Sequence, residues 1–480
     1  MRITLLHPAT ESHLQTHRNG NGHLGLGYLA AYLRRKGHDI RVLDAKNDCV
    51  TNEVLRHHAL EFQPEIFGVT AMTHEIHVAA DACATVKQVN PDIWTVIGGP
   101  HASALPERTL REYSAVDITV AGEGEITLAE LCEAKEHGAG PSDLENILGV
   151  AFRDRGRVFC AGKRPWMENL DDLPFPAWQL FPKVYWPVMC GRGCPFGCIF
   201  CQRVLGRQVR LRSVDSVLAE FDALEERVGQ RSVWFQDETF GLNKRWADEF
   251  LEKLSARNLR RGYVWRWGGN SRANLADLDR YQRMRASGCY GVSFGVESGD
   301  EIILKRIMKG ITPGMAVKAI ACAQKGGLTA AAFFILGHPG ETWRTALKTV
   351  HLAAKCRADS IAVGVMVPYP GTEVWHMAQE GRYGYKLLSE DWRLFDKYFG
   401  NALSVEGLSH RQLEFLQSLT YVWYYVYNLR FRDLLRFVLR FRTEAWTMLK
   451  RLLLPAKVEA ATVQFRKAET LPVEVARKAS

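Results

Sequence analysis

Twice along this chain, short β-branched runs alternate with stretches of helical period, and that alternation restricts the fold more than any other feature. In the first series residues 3–7, 40–44, 66–70, 95–98 and 117–121 read as strands. Between the first two, residues 24–36 carry the 3.6-residue period, gather basic residues at their end and stop at Gly37. Such repetition predicts an α/β fold with a doubly wound, Rossmann-like parallel sheet covered on both faces, whose ligand sits beyond the carboxyl ends of the strands. The glycines fall at that edge: Gly98-Gly99-Pro100-His101 follows one strand, and Gly122-Glu123-Gly124-Glu125 the next. One such loop alone is commonly a tight turn. Two on adjacent strand ends suit a flat or phosphate-bearing ligand approached by backbone.

Residues 138–180 loosen into Gly, Pro and Asp clusters, among them Pro141, Gly156, Gly162, Pro165, Pro174 and Pro176, and read as a connection. A second series follows, with strands expected at 188–190, 232–236, 263–267, 291–295, 330–336 and 360–367. Helices are expected between them, at 213–228, 244–257 and 341–355. Six βα repeats predict a full or partial (β/α)6 barrel of the TIM type, with its chemistry at the carboxyl ends of the strands. From Trp392 onward the chain turns aromatic and arginine-rich, through Tyr421, Trp423, Tyr424, Tyr425, Tyr427, Arg430, Arg432, Arg436, Arg440 and Arg442. This helical region either packs across the barrel mouth or lies on a membrane surface, and the tail after Pro455 reads as weakly ordered. The domains are therefore expected at 1–137, 181–376 and 377–480, with 138–180 as the linker.

At about 150 residues per domain, 480 residues hold roughly three units. The composition, 47% hydrophobic and 24% charged, is that of a soluble globular protein. A net charge of +9, from 62 basic against 53 acidic residues, is thin for this length, and a nucleic-acid partner is not expected. With no secretory segment and no apolar run of membrane-spanning length, the cytoplasm is the expected compartment. Eleven cysteines then read as reduced thiols or metal ligands rather than disulfides. Cys49, Cys83, Cys132, Cys160, Cys289, Cys322 and Cys356 stand singly and read as core thiols.

Cys194, Cys198 and Cys201 are different, because they lie within eight residues directly after the first strand of the second series. Three thiolates on one loop can reach three irons of a cubane cluster and leave the fourth iron open to a substrate or cofactor. Structural zinc wants four closed ligands, and neither a second Cys pair nor a suitably spaced His is present. A redox CxxC would have no use for Cys194, and Cys190 belongs to the preceding strand.

This C-x3-C-x2-C loop at a first barrel strand resembles the signature of radical S-adenosylmethionine enzymes. The resemblance implies a 4Fe-4S cluster on the three cysteines, whose open iron takes the amino and carboxylate groups of S-adenosylmethionine. Further segments agree in order. Phe235-Gln236-Asp237-Glu238-Thr239-Phe240 resembles the family's acidic segment, and implies that Asp237 and Glu238 contact the methionine part. Gly295-Val296-Glu297-Ser298-Gly299 resembles the segment whose glutamate reaches the ribose. Leu336-Gly337-His338-Pro339-Gly340-Glu341 and Pro368-Tyr369-Pro370-Gly371-Thr372 match the family's fifth and sixth strand ends, and the resemblance implies that Phe200 takes the adenine side. The first series resembles the cobalamin-binding domain of the class B subfamily, as in the anaerobic magnesium-protoporphyrin monomethyl ester cyclase and cobalamin-dependent methylases. Residues 25–33, 98–101 and 122–125 carry that likeness. It implies cobalamin contacts at Thr70, Gly98, Gly99, Pro100, His101, Gly122, Glu123 and Gly124. No D-x-H-x-x-G segment exists, so no histidine is nominated as a lower cobalt ligand; His74, His77 and His101 are loop candidates only.

The likeness spans residues 1–375. It implies a C-methyltransferase acting on an unactivated carbon of a small-molecule or lipid substrate, with flavodoxin or ferredoxin as electron donor. Oxidative cyclisation or rearrangement is the rival within the class. RNA modification and a non-catalytic metal-binding regulator rank below it.

Overall fold

The computed structural model describes residues 1–10, 20–396 and 402–440; Arg442 and the tail after Pro455 lie outside them. Two compact units are present. One comprises Met1–Pro195 and Gln202–Glu238, the other Phe196–Cys201 and the described residues from Thr239 on.

The first unit contains β1 (Arg2–His7), β2 (Asp39–Asp44), β3 (Ile66–Thr70), β4 (Trp94–Gly98), β5 (Ile118–Val120), β6 (Val150–Asp154) and β7 (Arg157–Cys160) in one sheet, ordered β2-β1-β3-β4-β5-β6-β7. Its first five strands are parallel. Five consecutive residues of β1, Ile3 to His7, are buried, the unbroken pattern that helices on both faces impose. The helix Leu24–Arg35 starts where the His23 ring accepts from the Leu26 amide, and it ends with Arg34 and Arg35 in its last turn. The order reverses between β1 and β3, which makes the carboxyl edge there the expected ligand crevice.

Within residues 138–180, expected as a linker, two strands extend this sheet. β6 runs antiparallel to β5, and β7 to β6. The glycine that suggested a loose connection closes a two-residue hairpin, with Arg155 at φ 46° and Gly156 at φ 77°. The strand expected at 188–190 is also corrected. Only Val188 bridges Phe235, and the next pairing is the short antiparallel ladder of β8 (Gly191–Arg192) with β9 (Arg210–Leu211). β10 (Ser232–Phe235) ends the strands of this unit.

In the second unit β11 (Arg266–Ser271), β12 (Cys289–Glu297), β13 (Thr329–Leu336) and β14 (Ser360–Val365) lie side by side and parallel. The third strand sits later than the sequence suggested, at 266–271 rather than 263–267. Helix Val214–Val228 of the first unit and helices Lys244–Arg261 and Trp343–Lys355 of the second match expectation within a few residues. The aromatic helix His410–Tyr427 seals the edge of β14 and sets Leu413 against Gly337, just past the carboxyl end of β13. Gln417 donates to the Val363 carbonyl at 2.7 Å, and the Tyr421 hydroxyl accepts from the Val363 amide at 3.0 Å. Edge groups that would recruit a foreign strand are thereby satisfied. The C-terminal region is also not purely helical, since β15 (Tyr385–Leu387) pairs with β16 (Leu403–Val405). Among the described residues no helix is long and apolar enough to cross a membrane.

Candidate cofactor sites

Because β3, β4 and β5 are neighbours, Thr70, the loop from Gly98 to His101, and the loop from Gly122 to Gly124 meet at one edge of the first sheet. Gly99 has φ 92°, and a Cβ there would stand 2.8 Å from Thr70 Oγ1 and 3.0 Å from the Ala71 backbone, so only glycine lets the two loops close. The His101 amide donates to the Ala71 carbonyl at 3.1 Å, and Gln202, just after the cysteine loop, donates to the Pro100 carbonyl at 2.9 Å. His101 itself is wholly buried, and burial drives its ring down to about 3, which keeps it neutral.

Glu123 and Glu125 turn inward. Arg192 donates to Glu123 at 2.9 Å and to Glu125 at 2.6 Å. Arg210 also reaches Glu123, at 2.9 Å, and the Met167 amide completes its shell. All four charged side chains are buried, and buried carboxylates persist ionised only with such partners. This leaves the backbone of the Gly122–Gly124 loop as what it can offer a ligand, while its carboxylates tie it to the residue two before Cys194.

Asp237 and Glu238 brace the same loop from below. The Asp237 carboxylate accepts from the Cys190 amide (3.2 Å), the Cys190 thiol (3.1 Å) and the Gly191 amide (2.5 Å). Burial lifts Asp237 to about 6 and also raises Glu238, which receives the Gly193 amide. Cys190 is therefore a hydrogen-bonded neighbour whose thiol burial pushes up. Cys194 lies in this first unit, its amide on the Gly206 carbonyl at 3.2 Å.

Cys198 and Cys201 belong to the second unit, where two cations attend them. Cys198 is brought down by a hydrogen bond from the Cys201 thiol, against burial, with Lys309 and Arg272 adding to the lowering. That shared hydrogen bond and burial push Cys201 up. Arg272 Nη1 lies 3.8 Å from Cys198 Sγ, and its guanidinium sits 3.7 Å above the Phe196 ring. Lys309 Nζ stands 5.8 Å from the Phe200 ring and 2.6 Å from Glu297 Oε1. Glu297 occupies a left-handed conformation at φ 71° beside a register shift in β12, which aims a side chain out of the ladder. His338 Nε2 is 3.4 Å from the Glu297 carbonyl, and its ring is 6.2 Å from Phe200. Phe200, Glu297, His338 and Lys309 are thus brought together. Ser298 is not part of that group: it is buried against the Thr349 hydroxyl at 3.3 Å. Gly337, at φ 86°, donates to Glu341 at 2.5 Å, and burial raises that carboxyl to about 7.

Thiols attended by fixed cations and aromatic rings suit an anionic, thiolate-bound group. Among the described residues no three His, Cys, Asp or Glu side chains form a cage for a single metal ion. A cubane places its thiolates on separate irons and does not require one. Arg192, Arg210, Arg272 and Lys309 escaped the sequence reading because lone basic residues carry no spacing signature; pairing across 67 to 87 residues, as between the two arginines and the glutamates, is visible only after folding.

The sequence matches the B12 binding domain family over residues 18–132 and the Radical SAM superfamily over residues 188–353. An uncharacterized methyltransferase of Pyrococcus horikoshii is 33% identical over 89% of this chain and 93% of its own length. The chain belongs to the cobalamin-binding radical S-adenosylmethionine enzymes. The anaerobic magnesium-protoporphyrin IX monomethyl ester cyclase of Rubrivivax gelatinosus is 30% identical over 78% of this chain and 69% of its own. The fold matches that of the radical S-adenosylmethionine methyltransferase TsrM from Kitasatospora setae, solved with cobalamin and a 4Fe-4S cluster bound. Its TM-score is 0.70 at 17% identity, over 87% of this chain and 90% of that one. As a member of this family, the chain is an enzyme whose cofactors are a 4Fe-4S cluster, S-adenosylmethionine and cobalamin.

Proposed function

We propose that the chain is a C-methyltransferase acting on an unactivated carbon of a small-molecule or lipid metabolite, with Cys194, Cys198 and Cys201 as the cluster ligands. The observation that carries the cluster reading is the pair of buried cations at Cys198: Lys309 and Arg272 both favour the thiolate, the form that binds iron. The near end-to-end likeness to the Pyrococcus methyltransferase favours methylation over the cyclase reading. When bound, the cluster supplies the electron that splits S-adenosylmethionine, and cobalamin carries the methyl group toward the substrate carbon. The chain's own residues position and enclose. Phe200 offers an apolar face for the adenine, and Glu297, oriented by Lys309, can accept from ribose hydroxyls. Asp237 and Glu238 hold the cysteine loop at its base. Thr70, Gly98, Gly99, Pro100 and the Gly122–Gly124 backbone face cobalamin, and flavodoxin or ferredoxin is the electron donor.

A lipid surface fits the helix Phe431–Arg440. It exposes Phe431, Leu435, Val438 and Leu439 at helical spacing beside exposed Arg432 and Arg436, the pattern of a helix lying on an anionic membrane. The deciding experiment for the reaction is anaerobic reconstitution with iron, sulfide and cobalamin, then mass spectrometry. 5'-Deoxyadenosine together with S-adenosylhomocysteine marks methylation. Deoxyadenosine alone marks cyclisation, and neither product would leave only a binding protein.

A further inference from the structure

Two basic side chains face the Cys198 end of the loop, and only one of them has a carboxylate. Lys309 is matched by Glu297 at 2.6 Å. Arg272 is 6% exposed and, among the described residues, pairs with no carboxylate; its Nε is buried without an acceptor. Its contacts are the Cys198 sulfur and the Phe196 ring. Removing an ion from water costs several kcal/mol, so a buried cation that meets a cysteine sulfur and no carboxylate marks a place where further negative charge belongs. The surroundings hold it in place. Phe196 gives the planar guanidinium a stacking platform, and the turn at Gly310, φ 66°, passes so close that a Cβ there would stand 3.2 Å from Arg272 Nη2. A guanidinium stays charged in such a site.

We infer that Arg272 is the counter-cation of the cluster, hydrogen-bonded to the Cys198 sulfur and raising the reduction potential of the iron held there. This rests on the reading of Cys198 as a cluster ligand. Reduction adds one negative charge to the cluster, and a fixed positive charge a few ångströms away favours the more negative state. Hydrogen bonds to the ligating sulfurs act in the same direction. Lys309, already neutralised by Glu297, contributes less.

The test is an anaerobic redox titration of the reconstituted holoenzyme, followed by electron paramagnetic resonance, without and with S-adenosylmethionine. Iron and sulfide content is measured in parallel. Arg272→Gln is expected to make reduction of the S-adenosylmethionine-free cluster about tenfold less favourable, a fall of about 59 mV for a one-electron couple. Arg272→Lys is expected to keep most of the wild-type midpoint. A wild-type midpoint in a fully loaded Arg272→Gln protein overturns the inference while leaving the cluster reading intact. If that variant instead binds S-adenosylmethionine more weakly at an unchanged midpoint, Arg272 serves the methionine carboxylate and the inference is again overturned. Should Arg272→Gln fail to hold iron, Phe196→Leu decides, since it removes the stacking platform and keeps the charge. A midpoint shift of the same sign sustains the proposal, and an unchanged midpoint ends it. Wild-type protein without a cluster signal would sink the cluster reading itself.

Discussion

Glu123 and Glu125 in the first unit and Arg272 in the second are all buried, yet the chain treats their charges in opposite ways. The two glutamates meet two arginines, so each buried charge has a partner of opposite sign. Arg272 meets a sulfur and an aromatic ring. A network in which each buried carboxylate has its arginine locks one loop against another. An incomplete one is a site. Its residual cost to the apoprotein is acceptable only if something arrives to cancel it, so charge pairing separates residues that hold the scaffold from residues that await a cofactor.

The sharpest way to break this contrast is to remove one cation from each unit. Arg192→Met leaves Glu125 buried without its arginine and should destabilise the protein by about 3–5 kcal/mol, read by denaturant unfolding. Arg272→Met in cluster-free protein should do the reverse and stabilise it by about 1–3 kcal/mol, because it deletes an unpaired buried donor. If both variants lose stability to a similar extent, Arg272 is a scaffold residue like Arg192 and the distinction fails.

A second comparison sets a group that titrates with folding against those that do not. Glu341 is wholly buried at the carboxyl end of β13, and burial raises its acid to about 7 from 4.5. Below about pH 4.5 it is protonated folded and unfolded alike and contributes no pH dependence. Between there and about 7 the unfolded chain ionises while the folded one holds its proton, so stability falls as pH rises, by about 3 kcal/mol in all. Glu341→Gln should remove that slope. An unchanged stability-versus-pH curve for the variant would show that Glu341 is ionised in the fold.

How far the sequence could foresee this is clear from particular elements. β3 was legible to the residue because 66–70 is an apolar run bounded by turn residues, and β1, β2 and β4 were legible to within a residue or so at either end. Val188 to Cys190 has the same local character but lacks a neighbour over most of its length, and propensity cannot report a missing partner. The β6–β7 hairpin was misread for the opposite reason: Gly156 supplies a positive φ to a tight turn as readily as to a loose connection. At the site, the cysteines and the Gly98–His101 loop announce themselves by spacing. What Glu123 and Asp237 do was hidden, because a carboxylate in a glycine-rich or acidic motif looks the same whether it faces a ligand or an arginine. Gly99→Ala measures how much the legible part is worth: with its Cβ driven toward Thr70 and Ala71, a loss of about 1–3 kcal/mol is expected, together with weaker cobalamin retention.

The smallest stability effect is expected on the helix Phe431–Arg440, whose two faces repeat the contrast with apolar groups in place of charges. Phe437 is half-buried, stacked on Tyr421 and tilted against Tyr425, with centroids 4.9 and 5.8 Å away. Leu435 and Leu439, each 61% exposed, are not. Replacing both exposed leucines with serine should change folding stability by no more than about 0.5 kcal/mol per site, as for ordinary surface positions. Co-flotation with phosphatidylglycerol vesicles should nevertheless fall sharply, and raised salt should weaken what remains, because Arg432 and Arg436 supply the electrostatic part. Phe437→Ser should give the opposite pattern, costing stability while sparing vesicle binding by the protein that stays folded. If the double serine variant unfolds at markedly lower denaturant, those leucines are packed in solution and the face is no lipid contact.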